Sequence, residues 1–321
     1  MHASHSIELT VPPIRGTLPS RPVGVDDPLV RSVGGTPLLP LETIGRSERP
    51  PVELWGKAEF RNPSGSVKDR AALGIVRAAF AAGTLGDGRT LLDASSGNTG
   101  VAYAMLGARL GFSVELYVPR NANPERLARI RAFGAQVVLT EASEGTDGAQ
   151  REARRRAEAQ PDRYFYADQY NNPANPGAHY ATTGPEIWNE LGRRITHLVA
   201  GVGTGGTLSG TGRYLKERNP SIRVIGVEPA GPMHGLEGLK HLPTALLPST
   251  YDARVVDSTV RVETEDAERL VLRLAREEGI VVGPSAGAAV FAALGVGRNE
   301  PGSVVVTVLP DGGEARRETT P

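Results

Sequence analysis

Short apolar runs alternate with alanine-rich amphipathic stretches along nearly the whole of this 321-residue chain. The apolar runs include Leu91–Leu92, Val114–Val118, Val137–Leu139, Leu198–Val202, Val224–Val227 and Val304–Leu309. Between them, the spacing predicts helices over 68–82, 100–110, 124–133, 184–191, 208–216 and 264–278. Strands that alternate with helices require a mostly parallel sheet with both faces covered, hence an α/β fold. At this length, and with no linker-like break, the expected form is two lobes with a cleft between them. Residues 1–26 lack periodicity and are rich in Pro, Ser and Gly, and are expected to form a flexible arm.

Composition removes several function classes. The 36 basic and 36 acidic side chains cancel, so no net field steers nucleic acid or an anionic membrane. There is no cysteine, which excludes disulfides, thiolate nucleophiles and Cys-ligated metals and suits a reducing cytoplasm. The six histidines show no metal-site spacing, so no metal is expected. No apolar run approaches the roughly 20 residues that cross a bilayer, and the N-terminus lacks the basic and apolar regions of a secretory signal.

In open α/β sheets, chemistry sits on the loops that follow the carboxyl ends of strands. Four such loops stand out. The first, Asn62-Pro-Ser-Gly-Ser-Val-Lys68, is a tight turn that places Lys68 at the start of a helix. A charged lysine opposes the positive end of the helix dipole there. A neutral lysine does not, and a neutral lysine can act as a nucleophile or form an imine with an aldehyde. A solvated lysine after a turn is the plain alternative. The second loop, Asp93-Ala-Ser-Ser-Gly-Asn-Thr-Gly100, clusters Ser95, Ser96, Asn98 and Thr99 at a helix start. One such residue would suffice as a cap; four make a nest for a carboxylate.

The third loop, Gly201-Val-Gly-Thr-Gly-Gly-Thr207, lets backbone N–H groups close around a phosphate. Gly201, Gly203 and Gly206 also fit the dinucleotide fingerprint, with Glu228 about 20 residues on as the ribose acid, so this loop alone favours an NAD-dependent oxidoreductase. The fourth, Gly283-Pro-Ser285-Ala-Gly287, reads as a further strand-loop-helix turn. Its Ser285 either caps the helix or offers one neutral hydrogen bond to a ligand. A single ligand uses all four loops if it carries an aldehyde for Lys68, a phosphate for Gly203, Thr204, Gly205, Gly206 and Thr207, a ring hydroxyl for Asn98 and a ring nitrogen for Ser285. Pyridoxal 5'-phosphate has these groups.

The ordered runs PSGSVKDR, SSGNTG, GTGGT and GPSAGA resemble fold-type II pyridoxal-phosphate enzymes, and among them the B-type cysteine synthases. The stretch from Asp168 and Gln169 through His179 to Trp188 is especially similar, and the resemblance spans roughly 27–313. It implies that Lys68 carries the cofactor and serves as the base at Cα. It also implies that Asn98 holds the ring 3'-oxygen, that Gly203–Thr207 cradle the phosphate, and that Ser285 meets the pyridine nitrogen. Ser95, Ser96, Thr99 and Gln169 are implied as the substrate-carboxylate site. The implied activity is β-replacement of O-acetylserine, or O-phosphoserine, by sulfide or another sulfur donor to give cysteine. The implied organisation is a large lobe, 27–61 and 175–314, a small mobile lobe, 62–174, and a short tail, 315–321. The resemblance also implies a cytoplasmic homodimer with small-molecule substrates, and a serine acetyltransferase tail as a partner.

Two departures stand out. The family's Asp-x-Gly-x-Arg-Tyr signature is replaced by Asp311-Gly-Gly-Glu-Ala-Arg316, which leaves the end of the large lobe open. Where relatives choose their substrate, this chain carries 231–243, whose Lys240 and His241 could meet an anionic group or form a solvated basic loop. Cystathionine β-synthase chemistry, with homocysteine as the thiol, fits the same motifs. A serine/threonine dehydratase fits them less well, and a non-catalytic cofactor-binding partner protein is the alternative from a different class.

Overall fold

In a computed structural model of the chain, residues 27–313 are described. The expected arm, 1–26, and tail, 315–321, lie outside them. The strands are β1 (Leu38–Pro40), β2 (Glu53–Ala58), β3 (Thr90–Ala94), β4 (Val114–Pro119), β5 (Gln136–Thr140), β6 (Tyr164–Tyr166), β7 (His197–Gly201), β8 (Arg223–Pro229), β9 (Ser258–Val262) and β10 (Val304–Leu309). The helices are α1 (Pro28–Arg31), α2 (Glu42–Ser47), α3 (Lys68–Ala81), α4 (Asn98–Leu110), α5 (Pro124–Ala132), α6 (Gly145–Ala159), α7 (Ala174–Ala181), α8 (Thr183–Leu191), α9 (Gly206–Arg218), α10 (Thr264–Glu277) and α11 (Pro284–Asn299).

Each apolar run picked out above lies in a strand, except that Val202 falls one residue past the end of β7, and each predicted helix lies within two residues of an observed one. Other elements left no such trace. The inward face of α6 is the small-residue stripe Gly148, Ala149, Ala153 and Ala157, and its other positions are mostly charged, so hydropathy alone does not reveal it. β2 carries a fully buried Lys57, which breaks the apolar pattern of a strand.

The strands form two sheets. One has the order β1-β2-β10-β7-β8-β9 and is parallel except for β1; the other, β5-β4-β3-β6, is parallel throughout. Parallel neighbours need crossovers, which the helices supply and which cover both faces. In β10 the faces alternate: Val305 joins the core under α10 and α11, whereas Val304, Val306 and Val308 join the core under α8 and α9. The four-stranded sheet has its own core around Tyr103, Leu106, Leu116 and Ile130.

The chain lays down β1 and β2, crosses to the smaller sheet, and returns through α7. Its last strand, β10, then inserts between β2 and β7 in the middle of the larger sheet. That insertion brings the residues after β10 against the loop that precedes α3. The N–H of Val67 donates to the carbonyl of Pro310 at 2.7 Å, and Ser66 bridges Asp311. A buried ionic cluster anchors the same end of α3. The Arg70 guanidinium binds Glu59 at 2.7 Å and Glu186 at 2.7 Å, and Lys57 lies 2.9 Å from Glu186.

Candidate active site

The carboxyl ends of both sheets face a cleft of about 700 Å³. Lys68, Ser95, Ser96, Asn98, Thr99, Gln169, Gly203, Thr204, Gly205, Thr207 and Ser285 all line it. Gly206 is set back as the first residue of α9. A Cβ there would sit 2.0 Å from the Asn175 Oδ1, so only glycine lets the loop pack on α7. At Gly203 a Cβ would come within 2.3 Å of the Gly238 carbonyl, and Gly205 has a φ of +83°. The first N–H groups of α9 have no partner inside their own helix, so the turn presents donors to an anion.

Lys68 is the first residue of α3, and its N–H donates to Ser66 Oγ at 3.2 Å. Burial pushes its ammonium below the usual lysine range, and the nearby Asp311 carboxylate works against that shift. A buried, readily neutralised amine at the focus of three loops is the donor set that an aldehyde cofactor requires.

In the second loop, Ser95 Oγ accepts from the Gly100 N–H at 3.0 Å, so Ser95 does cap α4. Thr99 Oγ1 donates to Gln169 Oε1 at 2.7 Å, and Gln169 Nε2 donates to the Ala94 carbonyl at 3.1 Å. The nest is therefore held in shape by its own members. The fourth loop differs from expectation. Gly283 does precede α11, but among the described residues no strand leads into it: the segment before it pairs through a single bridge, Val282 to Gly312. It lies against the chain leaving β10 rather than in the sheet, so no ladder forms.

Several structural residues carried no sequence signal of their own. Asn175 Nδ2 donates to the Gln169 carbonyl at 2.8 Å and to Thr204 Oγ1 at 3.0 Å, tying the second loop's partner Gln169 to the glycine turn. Thr250 Oγ1 donates to the Thr204 carbonyl at 2.6 Å. His179 lies between Thr183 Oγ1, at 2.9 Å, and Thr207 Oγ1, at 3.2 Å; burial, with Arg70 and Lys68 nearby, holds it neutral. Asp311, noted above only as part of a departure from a signature, accepts from Asn98 Nδ2 at 2.7 Å inside the cleft. The segment 231–243 forms the outer wall. There Lys240 faces Asp147, whereas His241 turns to Thr244 Oγ1 at 2.8 Å.

Glu228 decides against the dinucleotide alternative. It is buried, accepts from the Leu242 N–H at 3.2 Å and pairs with Arg261 at 3.3 Å. Its oxygens hold the cleft wall and are committed away from any ribose. Among the described residues no group of His, Asp and Glu forms a metal site, and no helix is long and apolar enough to cross a membrane.

Two parallel-sheet lobes, a buried lysine and a glycine-rich anion turn define a pyridoxal-phosphate enzyme of fold type II. The family model described as pyridoxal-phosphate dependent enzyme matches residues 29–311, and the chain belongs to this family. It is 50% identical over 292 residues to the cysteine synthase of Aquifex aeolicus, covering 89% of each chain. It is 40% identical over 286 residues to cysteine synthase B of Escherichia coli strain K12, covering 89% of this chain and 93% of that one. The crystal structure of a cysteine synthase from Entamoeba histolytica superposes with a TM-score of 0.84 at 30% identity, covering 96% of this chain and 91% of that one.

Proposed function

We propose that this protein is a cysteine synthase that exchanges the β-acetoxy group of O-acetylserine for sulfide, giving cysteine and acetate. O-Phosphoserine is the second donor to be considered. The observation that carries the proposal is the placement of a buried, easily neutralised Lys68 between a carboxylate nest and a glycine phosphate turn.

Bound pyridoxal phosphate supplies an aldehyde for the substrate amine and an electron sink for bonds broken at Cα and Cβ. The protein's side chains do the rest. Gly203, Thr204, Gly205, Gly206 and Thr207 would hold the phosphate through backbone donors, with Thr204 and Thr207 fixed from behind by Asn175 and His179. Asn98 addresses the ring 3'-oxygen. Ser285 would hold the ring nitrogen as a neutral partner that does not enforce its protonation. Ser95, Ser96, Thr99 and Gln169 would orient the substrate carboxylate, and Lys68, as a neutral amine, would take the Cα proton.

The large lobe, 27–61 with 175–314, carries the phosphate turn, and the smaller lobe, 62–174, closes its carboxylate nest over the substrate and excludes water. Equal pyruvate side product from Asn98→Ala and wild type would argue against closure. We further propose a homodimer in the cytoplasm whose cleft admits a serine acetyltransferase tail.

The test is to load the protein with pyridoxal phosphate and follow its visible spectrum while adding O-acetylserine, then sulfide. A spectrum that changes with the donor and returns with sulfide, with cysteine and acetate formed in equal amounts, is expected. In Lys68→Ala, turnover should fall about a thousandfold or more. A variant with full turnover would overturn the assignment, and product formation only with homocysteine would redirect it to cystathionine synthesis.

A further inference from the structure

Asp311 is a buried carboxylate set between both lobes and the lysine. One oxygen, Oδ2, accepts from Asn98 Nδ2 at 2.7 Å. The other, Oδ1, is shut from solvent and has no hydrogen-bond partner among the described residues. A buried acceptor left without a donor keeps its full desolvation cost, which is larger when it is charged. The structure nevertheless holds it there firmly. The backbone of 310–311 is fixed on one side by Val67 and Ser66 and on the other by Gly283, whose N–H donates to the Asp311 carbonyl at 3.3 Å. Gly283 also leaves the space that Oδ1 fills, since a Cβ there would lie 2.4 Å from that oxygen.

We propose that Asp311 is a positioning residue whose fixed negative charge holds the Asn98 amide and keeps the Lys68 nitrogen protonated once it is joined to the cofactor aldehyde. The inference rests on the assignment of Lys68 above. Asp311 and Lys68 spring from paired backbone segments, and a nearby opposite charge favours the protonated form of a nitrogen. The carboxylate also accepts one amide hydrogen of Asn98, which fixes that amide and leaves its second N–H for a ligand. Burial pushes the Asp311 carboxyl up; Asn98, then Lys68 and Arg126, draw it back toward the ionised form, and Glu237 works against them. A protonated linkage is the more electrophilic state for the incoming substrate amine, so the carboxylate prepares the first exchange at Lys68.

The experiment is a pH titration of the visible absorption of the cofactor-loaded enzyme. In wild type, the linkage should lose its proton at a higher pH than the adduct of pyridoxal phosphate with a simple amine titrated in parallel. A midpoint at or below that of the free adduct would overturn the proposal without any variant. Asp311→Asn keeps an acceptor for Asn98 and removes the charge; its midpoint should drop by about one pH unit, a tenfold loss of proton affinity. An unchanged midpoint in a loaded Asp311→Asn protein would also overturn it, because a purely structural residue would alter stability and not this midpoint. Gly283→Ala, which crowds Oδ1 and leaves the charge, should move the midpoint in the same direction. Failure of the Lys68 assignment looks different: wild type would show no lysine-linked cofactor band, and reduction would attach no cofactor to Lys68.

Discussion

Lys240 reaches across the mouth of the cleft, with its Nζ 3.3 Å from Asp147 Oδ1 of α6 and 4.7 Å from the centre of the Tyr170 ring. The contact spans the two lobes, since Lys240 follows β8 of the larger sheet and α6 packs on the smaller one. The cation that the sequence offered for an anionic substrate is thus balanced by a carboxylate. Asp147→Asn should release that charge toward the cleft. A unit charge a few ångströms away at a protein surface contributes about 1 kcal/mol or more, so kcat/KM for O-phosphoserine relative to O-acetylserine should rise about fivefold. Lys240→Met should abolish the gain. An unchanged ratio in Asp147→Asn would show that Lys240 does not face the leaving group.

The glycine turn 203–207 makes a steric prediction. A Cβ on Gly203 would stand 2.3 Å from the Gly238 carbonyl, a backbone atom that cannot swing aside. Gly203→Ala must therefore shift the turn, at a cost of about 1–3 kcal/mol typical of overpacking. Cofactor affinity, measured by equilibrium dialysis, should fall at least about fivefold with the fold retained.

The ionic cluster behind α3 predicts a stability loss that depends on pH. Burial alone would raise the Glu186 carboxyl, but the hydrogen bonds and charge of Arg70, with Lys57, bring it to about 2 from 4.5. Because the folded value is depressed, its stabilisation is complete above pH 4.5 and is lost as the pH falls toward 2. Glu186→Gln leaves Lys57 and Arg70 buried without their shared partner, so it should cost about 3 kcal/mol near neutrality. Urea unfolding of the two proteins should show the gap closing in acid.

Asp93 predicts the opposite slope. Fully buried at the end of β3, it accepts from the Ala94 N–H at 2.8 Å and the Gln169 N–H at 3.3 Å, yet burial raises its carboxyl from 3.8 to about 7. The folded state then binds a proton that the unfolded state has released. Its contribution is complete below pH 3.8 and fades as the pH rises through 7. Between pH 5 and pH 8, wild type should lose stability relative to Asp93→Asn; a difference that stays flat would contradict the assignment.

Much of this protein was legible without coordinates. Alternating apolar runs dictated parallel sheets covered by helices, and the loops around Lys68, Asn98, Gly203–Thr207 and Ser285 could be placed on the cleft because each is a contiguous turn at a helix start. Such turns are encoded locally, by glycines that let the backbone bend and by Ser, Asn and Thr that serve exposed N–H groups. What the sequence alone could not decide were the partners of those turns. Asn98 meets Asp311 from 213 residues away, and Lys240 meets Asp147 from 93. Those pairings follow from strand order, because only the insertion of β10 between β2 and β7 delivers Asp311 beside the Lys68 loop. The same distinction settles the glycine loop. Its local pattern, taken alone, favoured a dinucleotide, and only the tertiary structure, by committing Glu228 to Leu242 and Arg261, took the ribose partner away.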